Sequence, residues 1–380
     1  MSFYRAENRV VMVDSVRIRQ GQTLAEADSA VAYGREHMVL VGNPRVRMSR
    51  DNSMVGDRIE VFYENGELVR VVLVGQARME DSTPDSLAAI YQGLPRMDVL
   101  EGDSISIHFV DEEIDRSVVV GAAHSLYTPT DLNEEVATND VNGDTITIDF
   151  HNSRVRRVNV VGNMTGKYRF AKVAAMREML AGNTPLADML RQGAVDSTVL
   201  ADDGLVRAAL DSLAAAGYDT SAATLDFLAS AQDVDYRGHS VDFEMRKKAI
   251  DIRGDGQLDY GTMKLTADHI KLDTTDRELY AEGEPLIQDS EDIAGHQMGY
   301  DFRNRTGAVR RGVTTFDGYY YVGEEISRFP DSTLKICNAR MTSCDLENPH
   351  YHFWADKMKM RMDDKVVGKP IALHIGRVPV

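Results

Sequence analysis

The chain has little of what disulfide-rich, membrane-spanning or nucleic-acid-binding proteins need. Two cysteines and one tryptophan occur in 380 residues, so a framework of several disulfides is excluded. No stretch approaches the roughly 18 consecutive apolar residues of a membrane-spanning helix. The net charge of −17 argues against DNA or RNA as a partner, because phosphate binding needs a basic surface. The composition is that of a soluble globular protein.

The usual catalytic motifs are also missing. The sequence has no P-loop, no Rossmann glycine fingerprint, no HExxH and no GxSxG. Carboxylates are frequent, but Asp57, Asp103 and Asp144 recur at the same place before three similar strands. A catalytic pair consists of two acids in different surroundings, whereas repetition is typical of a structural role. We therefore expect no enzyme activity, no cofactor and no metal.

What is present is a repeat of alternating strands. The segments IEVFY, ISIHF and ITIDF each place apolar residues at every second position, and each follows a Gly-Asp pair. A turn and a second apolar strand ending in glycine come next, and 18 residues separate the aspartate from that glycine in all three copies. One hairpin cannot bury its apolar face alone, so neighbouring hairpins must stack. Looser copies begin at Ala25, Ala267, Gly295, Gly323 and Ala355.

One segment departs from this pattern. From about Phe170 to Gln232, apolar residues recur at spacings of three and four, and Thr184-Pro185 is typical of a helix N-terminus. The sequence therefore predicts three or four short helices between two β-regions. The expected organisation is β-repeats at 1–169, a helical insertion at 170–232 and β-repeats at 233–380.

A cluster near the end of the chain, TSCDLENPHYHFWADKMKM, leaves three interpretations open. Cys337, Cys344, His350 and His352 are residue types that bind zinc, although six residues between the cysteines are too many for a tight zinc knuckle. A disulfide between Cys337 and Cys344 fits if a turn lies at 339–341, and it would indicate an oxidising compartment. Free thiols, or pairing with a cysteine elsewhere, is the third. The tryptophan of this cluster is expected in the core.

The C-terminal repeats resemble a known family. The segment 267–312 is similar to the OstA-type repeat of lipopolysaccharide transport proteins, and Tyr300, Asp301, Thr306 and Gly307 match its conserved end. The following residues resemble the N-terminal periplasmic module of LptD-like outer-membrane lipopolysaccharide assembly proteins, which carry a T-x-C-D…P-H-Y segment. The resemblance covers 236–380, extends more weakly over 1–168 and leaves the predicted helical insertion out.

This resemblance implies an elongated, open β-jellyroll of stacked antiparallel hairpins, whose two sheets enclose an apolar trough for lipopolysaccharide acyl chains. The implied partners are lipopolysaccharide, other OstA-like proteins joined end to end by strand pairing, and an outer-membrane β-barrel (a possible continuation of this chain) with its lipoprotein plug. The implied location is the periplasm, at the outer membrane. In LptD-like proteins, a cysteine at the place of Cys344 links this module to the barrel by a disulfide, and Cys337 offers a competing partner. The trough candidates are the alternating residues Ile59, Val61, Ile105, Ile107, Phe109, Ile146, Ile148, Phe150, Ile270, Leu272, Met298 and Tyr300.

Two other functions fit the same hairpins. If the interior is completely filled, the protein is a structural β-scaffold for docking or filament assembly, without lipid transport. An enzyme on a β-helix, such as a polysaccharide lyase or hydrolase, would need an exposed acidic or basic cluster on one sheet. The repeats, read as a sequence, show no such cluster.

Overall fold

Antiparallel β-strands make up the described part of the chain in the computed structural model, which confirms the predicted all-β class. The structure describes residues 2–81, 98–172 and 232–380, with short gaps at 5–7, 21–22, 49–51, 112, 128–134, 153, 246, 248, 274–275, 289–291, 302, 332, 347 and 362–364. The predicted helical insertion at 170–232 lies outside the described residues, except that 170–172 and Gln232 belong to strands.

The chain divides into two compact units, Met1–Val234 and Asp235–Val380. The strands of the first unit are β1 (Ser2–Tyr4), β2 (Arg9–Gln20), β3 (Thr23–Tyr33), β4 (His37–Val41), β5 (Arg45–Arg47), β6 (Asn52–Val55), β7 (Arg58–Glu64), β8 (Glu67–Asp81), β9 (Asp98–Val110), β10 (Glu113–Tyr127), β11 (Glu135–His151) and β12 (Arg154–Lys172). Those of the second are β13 (Gln232–Glu244, which starts just before the boundary), β14 (Ala249–Tyr260), β15 (Met263–Asp273), β16 (Glu278–Glu282), β17 (Leu286–Gln288), β18 (Ile293–Ala294), β19 (Gln297–Asp301), β20 (Thr306–Phe316), β21 (Tyr319–Arg328), β22 (Thr333–Thr342), β23 (Tyr351–Arg361), β24 (Lys365–Ile375) and β25 (Val378–Pro379).

Within each unit, strands that follow one another in the chain pair antiparallel, as stacked hairpins do. In the first unit, β8 pairs with β9, β9 with β10, β10 with β11 and β11 with β12. Some long strands face two short ones: β3 pairs with both β4 and β5, and β8 pairs with both β6 and β7. The short strands β4 and β5 are therefore two halves of one interrupted strand, and so are β6 and β7. Each interruption lies where the long neighbouring strand bends.

The bends coincide with the glycines of the repeat. In alternate strands, a glycine with φ between 73° and 87° is followed by a second residue with φ between 43° and 54°, as at Gly121-Ala122 and Gly162-Asn163. Two successive left-handed residues form a bulge, and the register of β10 against β11 shifts at this place, between Val120 and Ala123. We call these places corners.

At each corner, the aspartate of the preceding strand covers the glycine. A Cβ atom placed on Gly162 would lie 2.7 Å from the Cβ of Asp144, closer than real side chains approach. Glycine is therefore needed twice, for its left-handed backbone and for the absence of a side chain. The same corner pair recurs at Asp28–Gly42, Asp57–Gly75, Asp103–Gly121, Asp144–Gly162 and Asp268–Gly283, with His239–Gly254 as a variant.

The corners explain the constant spacing and correct one expectation. The recurring aspartates have the structural role expected of them: Asp103 and Asp144 lie at bends inside long strands, and Asp57 lies between the short strands β6 and β7. The glycine predicted to close each hairpin does not end its strand: β8 continues from Gly75 to Asp81, and β10 from Gly121 to Tyr127. The spacing of 18 residues is thus the distance along the chain between the aspartate and the glycine of one corner pair, which lie on neighbouring strands.

We expect Gly162→Ala to destabilise the first unit more than Gly66→Ala does. Both glycines have a left-handed backbone, but nothing lies within 4 Å of a Cβ on Gly66, whereas Asp144 blocks one on Gly162. Placing alanine in a left-handed backbone conformation costs about 1 kcal/mol by itself. The additional loss of unfolding free energy in Gly162→Ala over Gly66→Ala therefore measures the contact at the corner. Urea unfolding of both variants checks this. Adding Asp144→Ala to Gly162→Ala should restore part of the loss, and a purely additive double variant would contradict the corner contact.

Candidate functional site

The candidate site is the apolar interior that the corners enclose. The same alternating positions are buried before and after a corner, for instance Val119 and Ala123 on β10, so both halves of a strand face one interior. Most of the predicted trough residues are buried there, while Phe150 and Tyr300 are half-buried near strand ends. The buried ones are Ile59, Val61, Ile105, Ile107, Phe109, Ile146, Ile148, Ile270, Leu272 and Met298.

Cross-strand pairing arranges these side chains in rows. In the first unit, one inner row crosses seven strands, and each member is at most 1% exposed: Leu40, Ile59, Leu73, Ile105, Val119, Ile146 and Val160. A neighbouring row contains Ile107, Ser117 and Ile148. The hydroxyl of Ser117 is buried without a hydrogen-bond partner, which is a costly arrangement between two isoleucines. The interior is filled by side chains in this structure.

In the second unit, a comparable row of cross-strand neighbours runs from Ile252 on β14 to Met358 on β23. All of its members are buried. Burial then ends abruptly at β24. Met360 is 0% exposed, but its cross-strand neighbour Val366 is 38% exposed. Likewise, Ala355 is 0% exposed and its neighbour Ile371 is 59% exposed. The apolar interior of this unit is therefore uncovered at β24 within the described residues.

The outer faces carry polar groups that sequence reasoning missed. His124 lies between two carboxylates, with Nδ1 3.2 Å from Glu101 Oε2 and Nε2 3.0 Å from Asp140 Oδ1. His269 repeats this in the second unit, 3.1 Å from Glu282 and 3.0 Å from Asp251. These residues are far apart in sequence, and only the cross-strand register brings them together. We interpret them as polar contacts that join neighbouring strands.

Two of these carboxylates are shifted toward the charged form. The hydrogen bond to His269 holds the pKa of Glu282 below its ordinary value, together with one from Tyr280. Partial burial would raise the pKa of Asp251, but hydrogen bonds and charges from Arg253 and His269 outweigh it, so this pKa is also lowered. Both carboxylates therefore stabilise the fold when ionised, and their contribution is lost as the pH falls below the ordinary carboxylate range.

The cysteine and histidine cluster separates into distant parts. The turn expected at 339–341 is wrong, because β22 runs straight through to Thr342. Cys337 is exposed on that strand, Cys344 follows the strand end, and both are free thiols. A local disulfide is therefore not formed in this structure. Cys344 Sγ instead lies 3.5 Å from Nδ1 of His350.

His352 faces a different partner. Its ring stacks on that of His374, with centroids 4.8 Å apart and planes 4° from parallel, and both Nδ1 atoms are buried without a hydrogen bond. Burial lowers the pKa of His352, and the nearby His374 and Arg340 lower it further. Trp354, expected in the core, is half-buried and donates a hydrogen bond to Asn338 at 2.8 Å. The four candidate zinc ligands thus do not meet at one point.

A polar surface pocket lies beside the turn between β7 and β8. His37 stacks on Phe62 with centroids 4.5 Å apart, and the Arg70 guanidinium lies 4.2 Å above the same ring. Oε2 of Glu60 lies 3.1 Å from Nε2 of His37, and His108 also lines the pocket. Its charged lining makes it unsuited to acyl chains.

Two other kinds of feature, metal-binding clusters and membrane-spanning helices, do not occur among the described residues. No group of three or more histidine, cysteine, aspartate or glutamate residues is placed to hold a metal ion in this part of the chain. Among the same residues, no helix has the length and apolar character needed to cross a membrane.

Comparison with known proteins gives a likeness among solved structures alone. No family model matches the chain, and no curated protein sequence matches it. Among solved structures, the chain is similar to the crystal structure of LptH, the periplasmic component homologous to LptA in the lipopolysaccharide transport device of Pseudomonas aeruginosa. The TM-score is 0.26 and the identity 16%, over 42% of this chain and 85% of that chain. Function therefore has to be argued from the described residues.

We expect the second unit to lose stability as the pH falls below about 6.5. Because the folded state lowers the pKa of His352, the unfolded chain binds a proton there first, which favours unfolding in that range. Urea unfolding at about pH 8 and about pH 5.5 measures the effect. His352→Gln should reduce the difference between the two conditions, while His151→Gln, at an exposed position, should not. An unchanged difference in His352→Gln would show that another group is responsible.

Proposed function

We propose that this protein is a non-enzymatic carrier that binds lipopolysaccharide acyl chains in its apolar interior and takes part in their passage to the outer membrane. The observation that carries the proposal is the set of aliphatic inner rows, repeated strand after strand, whose last members on β24 are uncovered. An acyl chain needs a long apolar surface without fixed polar contacts, and these rows provide it.

The energetics favour this use of the interior. Each methylene removed from water contributes about 0.8 kcal/mol, so ten methylenes contribute on the order of 8 kcal/mol. Because Ile105, Ile107 and Ile146 are 0% exposed, an acyl chain can enter the first unit only if the inner rows separate. The unpaired hydroxyl of Ser117 raises the free energy of the closed interior, since a hydroxyl in an apolar row loses its hydrogen bonds to water.

The proposed partners follow from the chemistry and from the family resemblance. β24 pairs with β23 on one side and, at its last residues, with the short strand β25 on the other. The exposed apolar side chains that precede this end, such as Ile371, favour the addition of a further strand. A second OstA-like protein is the proposed occupant, with an outer-membrane β-barrel and its lipoprotein plug as further members of the assembly. The proposed location is the periplasm, at the outer membrane.

A structural scaffold is the second candidate, and the filled interior of the first unit favours it. Under this alternative, the inner rows stay closed and hairpin stacking serves protein docking alone. The two candidates agree on strand pairing at β24 and differ on whether lipid reaches the interior.

Photocrosslinking distinguishes them. A small diazirine amino acid at Val119, which is 0% exposed, should crosslink to lipopolysaccharide, whereas the same residue at the adjacent Val120, 46% exposed on the opposite face, should not. Ile107 and Ile148 are further inward positions. Circular dichroism spectra checked against the parent protein ensure that each variant is folded. If no inward position crosslinks while self-association persists, the scaffold is supported and the carrier is not.

Strand pairing gives a separate expectation. The double change Val366→Lys and Ile371→Lys, at positions 38% and 59% exposed on the part of β24 that β25 does not cover, should weaken self-association at least tenfold because charges oppose edge-to-edge contact. Analytical ultracentrifugation over a concentration series measures this. Val313→Lys, at an exposed apolar position on the interior strand β20, is the control. Equal dissociation constants for the parent and the double variant would place the interface elsewhere.

A further inference from the structure

Three consecutive strands near the end of the second unit, β22, β23 and β24, carry an unusual concentration of positive charge. In a protein with a net charge of −17, β22, β23 and β24 together hold one carboxylate, Asp356. The cations on the same strands are Lys335, Arg340, Lys357, Lys359, Arg361, Lys365 and Lys369. The alternation of buried and exposed residues puts most of them on the outer face, opposite the apolar interior.

The register places like charges directly opposite one another. Lys335 pairs with Lys359, and Lys357 pairs with Lys369. We call these four residues the lysine patch. Like charges at directly opposed positions of neighbouring strands destabilise a sheet, so the patch does not serve the fold. The patch is not visible in the sequence, because these residues lie up to 34 positions apart (335 to 369) and only the strand register brings them together.

Within the described residues, no member of the lysine patch forms an ion pair with a carboxylate. Hydrogen bonds with Thr333, whose backbone N–H donates at 3.1 Å, lower the pKa of Asp331, and the charges of Lys359 and Arg361 contribute further to lowering it. Glu325 accepts a hydrogen bond from Ser327 at 3.2 Å. The patch has one other contact of note: Lys335 Nζ lies 4.5 Å above the ring of Phe329. Asp363 and Asp364, which follow β23 in the sequence, lie outside the described residues.

The arrangement fits a surface of many anions better than a single bound ion. Side chains on one face of a sheet stand roughly perpendicular to it, so the four ammonium groups are spread over about 10 Å across three strands and do not converge. Val367, 55% exposed, pairs with Lys359 and lies two residues from Lys369 on β24. Lysines around an exposed aliphatic side chain match the boundary between phospholipid headgroups and acyl chains.

We propose that the lysine patch is a docking surface for an anionic phospholipid membrane. Phosphate-bearing headgroups would face Lys335, Lys357, Lys359 and Lys369, and Val367 would contact the acyl boundary. This inference is independent of whether lipid enters the interior, because the patch and the inner rows are on opposite faces of the strands.

Vesicle binding tests the proposal directly. The full chain is mixed with vesicles of phosphatidylcholine alone, or with one third phosphatidylglycerol, and binding is measured by co-sedimentation. We expect binding to the anionic vesicles alone, and its loss in 1 M salt, where the screening length is about 3 Å. Each lysine near an anionic surface contributes about fivefold to affinity, so replacing all four with glutamine should weaken binding more than tenfold. The control, Lys264→Gln with Lys271→Gln, neutralises two exposed lysines on β15 and should change affinity less than twofold.

Stability and crosslinking complete the test. The fourfold glutamine variant should be as stable as the parent protein in urea, or more stable, since repulsion is removed. A large loss of stability would show that the lysines serve the fold and would overturn the proposal. Equal binding to neutral vesicles, or full binding by the fourfold variant, would overturn it as well. Crosslinking of lipopolysaccharide from Val119 should persist in that variant, so failure of the carrier function and failure of the docking surface are separately visible.

Discussion

The contact between an acidic side chain and a left-handed glycine on the next strand is the constraint on which the rest of the structure depends. It fixes where each strand bends, and because the bends of adjacent strands must coincide, it fixes the register of every pair it joins. Register then decides which side chains are neighbours on both faces. The inner rows of the first unit and the histidines held between carboxylates are consequences of that alignment. The lysine patch lies on β22–β24, beyond the last of these corner pairs, and depends on the register of those strands alone. A shift of two residues would preserve the faces but dissolve each of these groupings.

The sequence predicted the faces of the strands well and the neighbours across strands poorly. Strict alternation in ISIHF identifies Ile105 and Ile107 as inward, and both are fully buried. Alternation is a property of one strand, so it says nothing about which residue lies opposite. For this reason the sequence missed His269 between Asp251 and Glu282, and it showed no exposed basic cluster where Lys357 and Lys369 in fact meet. The turn at 339–341, which a Cys337–Cys344 disulfide required, is absent for a related reason. The spacing of two cysteines does not show whether the residues between them turn, and here they continue strand β22 to Thr342.

The two faces of strands β22–β24 differ in chemistry, and we propose that each face contacts a different part of a lipid. Inward, Met358, Met360 and Ala355 continue the apolar interior. Outward, the same strands present cations whose mutual repulsion the fold tolerates. A single short element would therefore meet two chemically different parts of a lipid, the acyl chain on one side and the charged headgroup region on the other. The proposed carrier function and the proposed membrane docking would then take place on one set of strands without competing for the same side chains.

The corner pairs also make length an adjustable quantity. Each hairpin brings its own aspartate and glycine, so one more hairpin needs no new kind of contact with the rest of the unit. Adding two strands extends the sheet by about 10 Å in the hydrogen-bonding direction. A duplicated segment between equivalent corners, such as those at Gly121 and Gly162, would keep both faces in phase. Such a fold can act as a molecular ruler, whose span across a gap is set by counting hairpins.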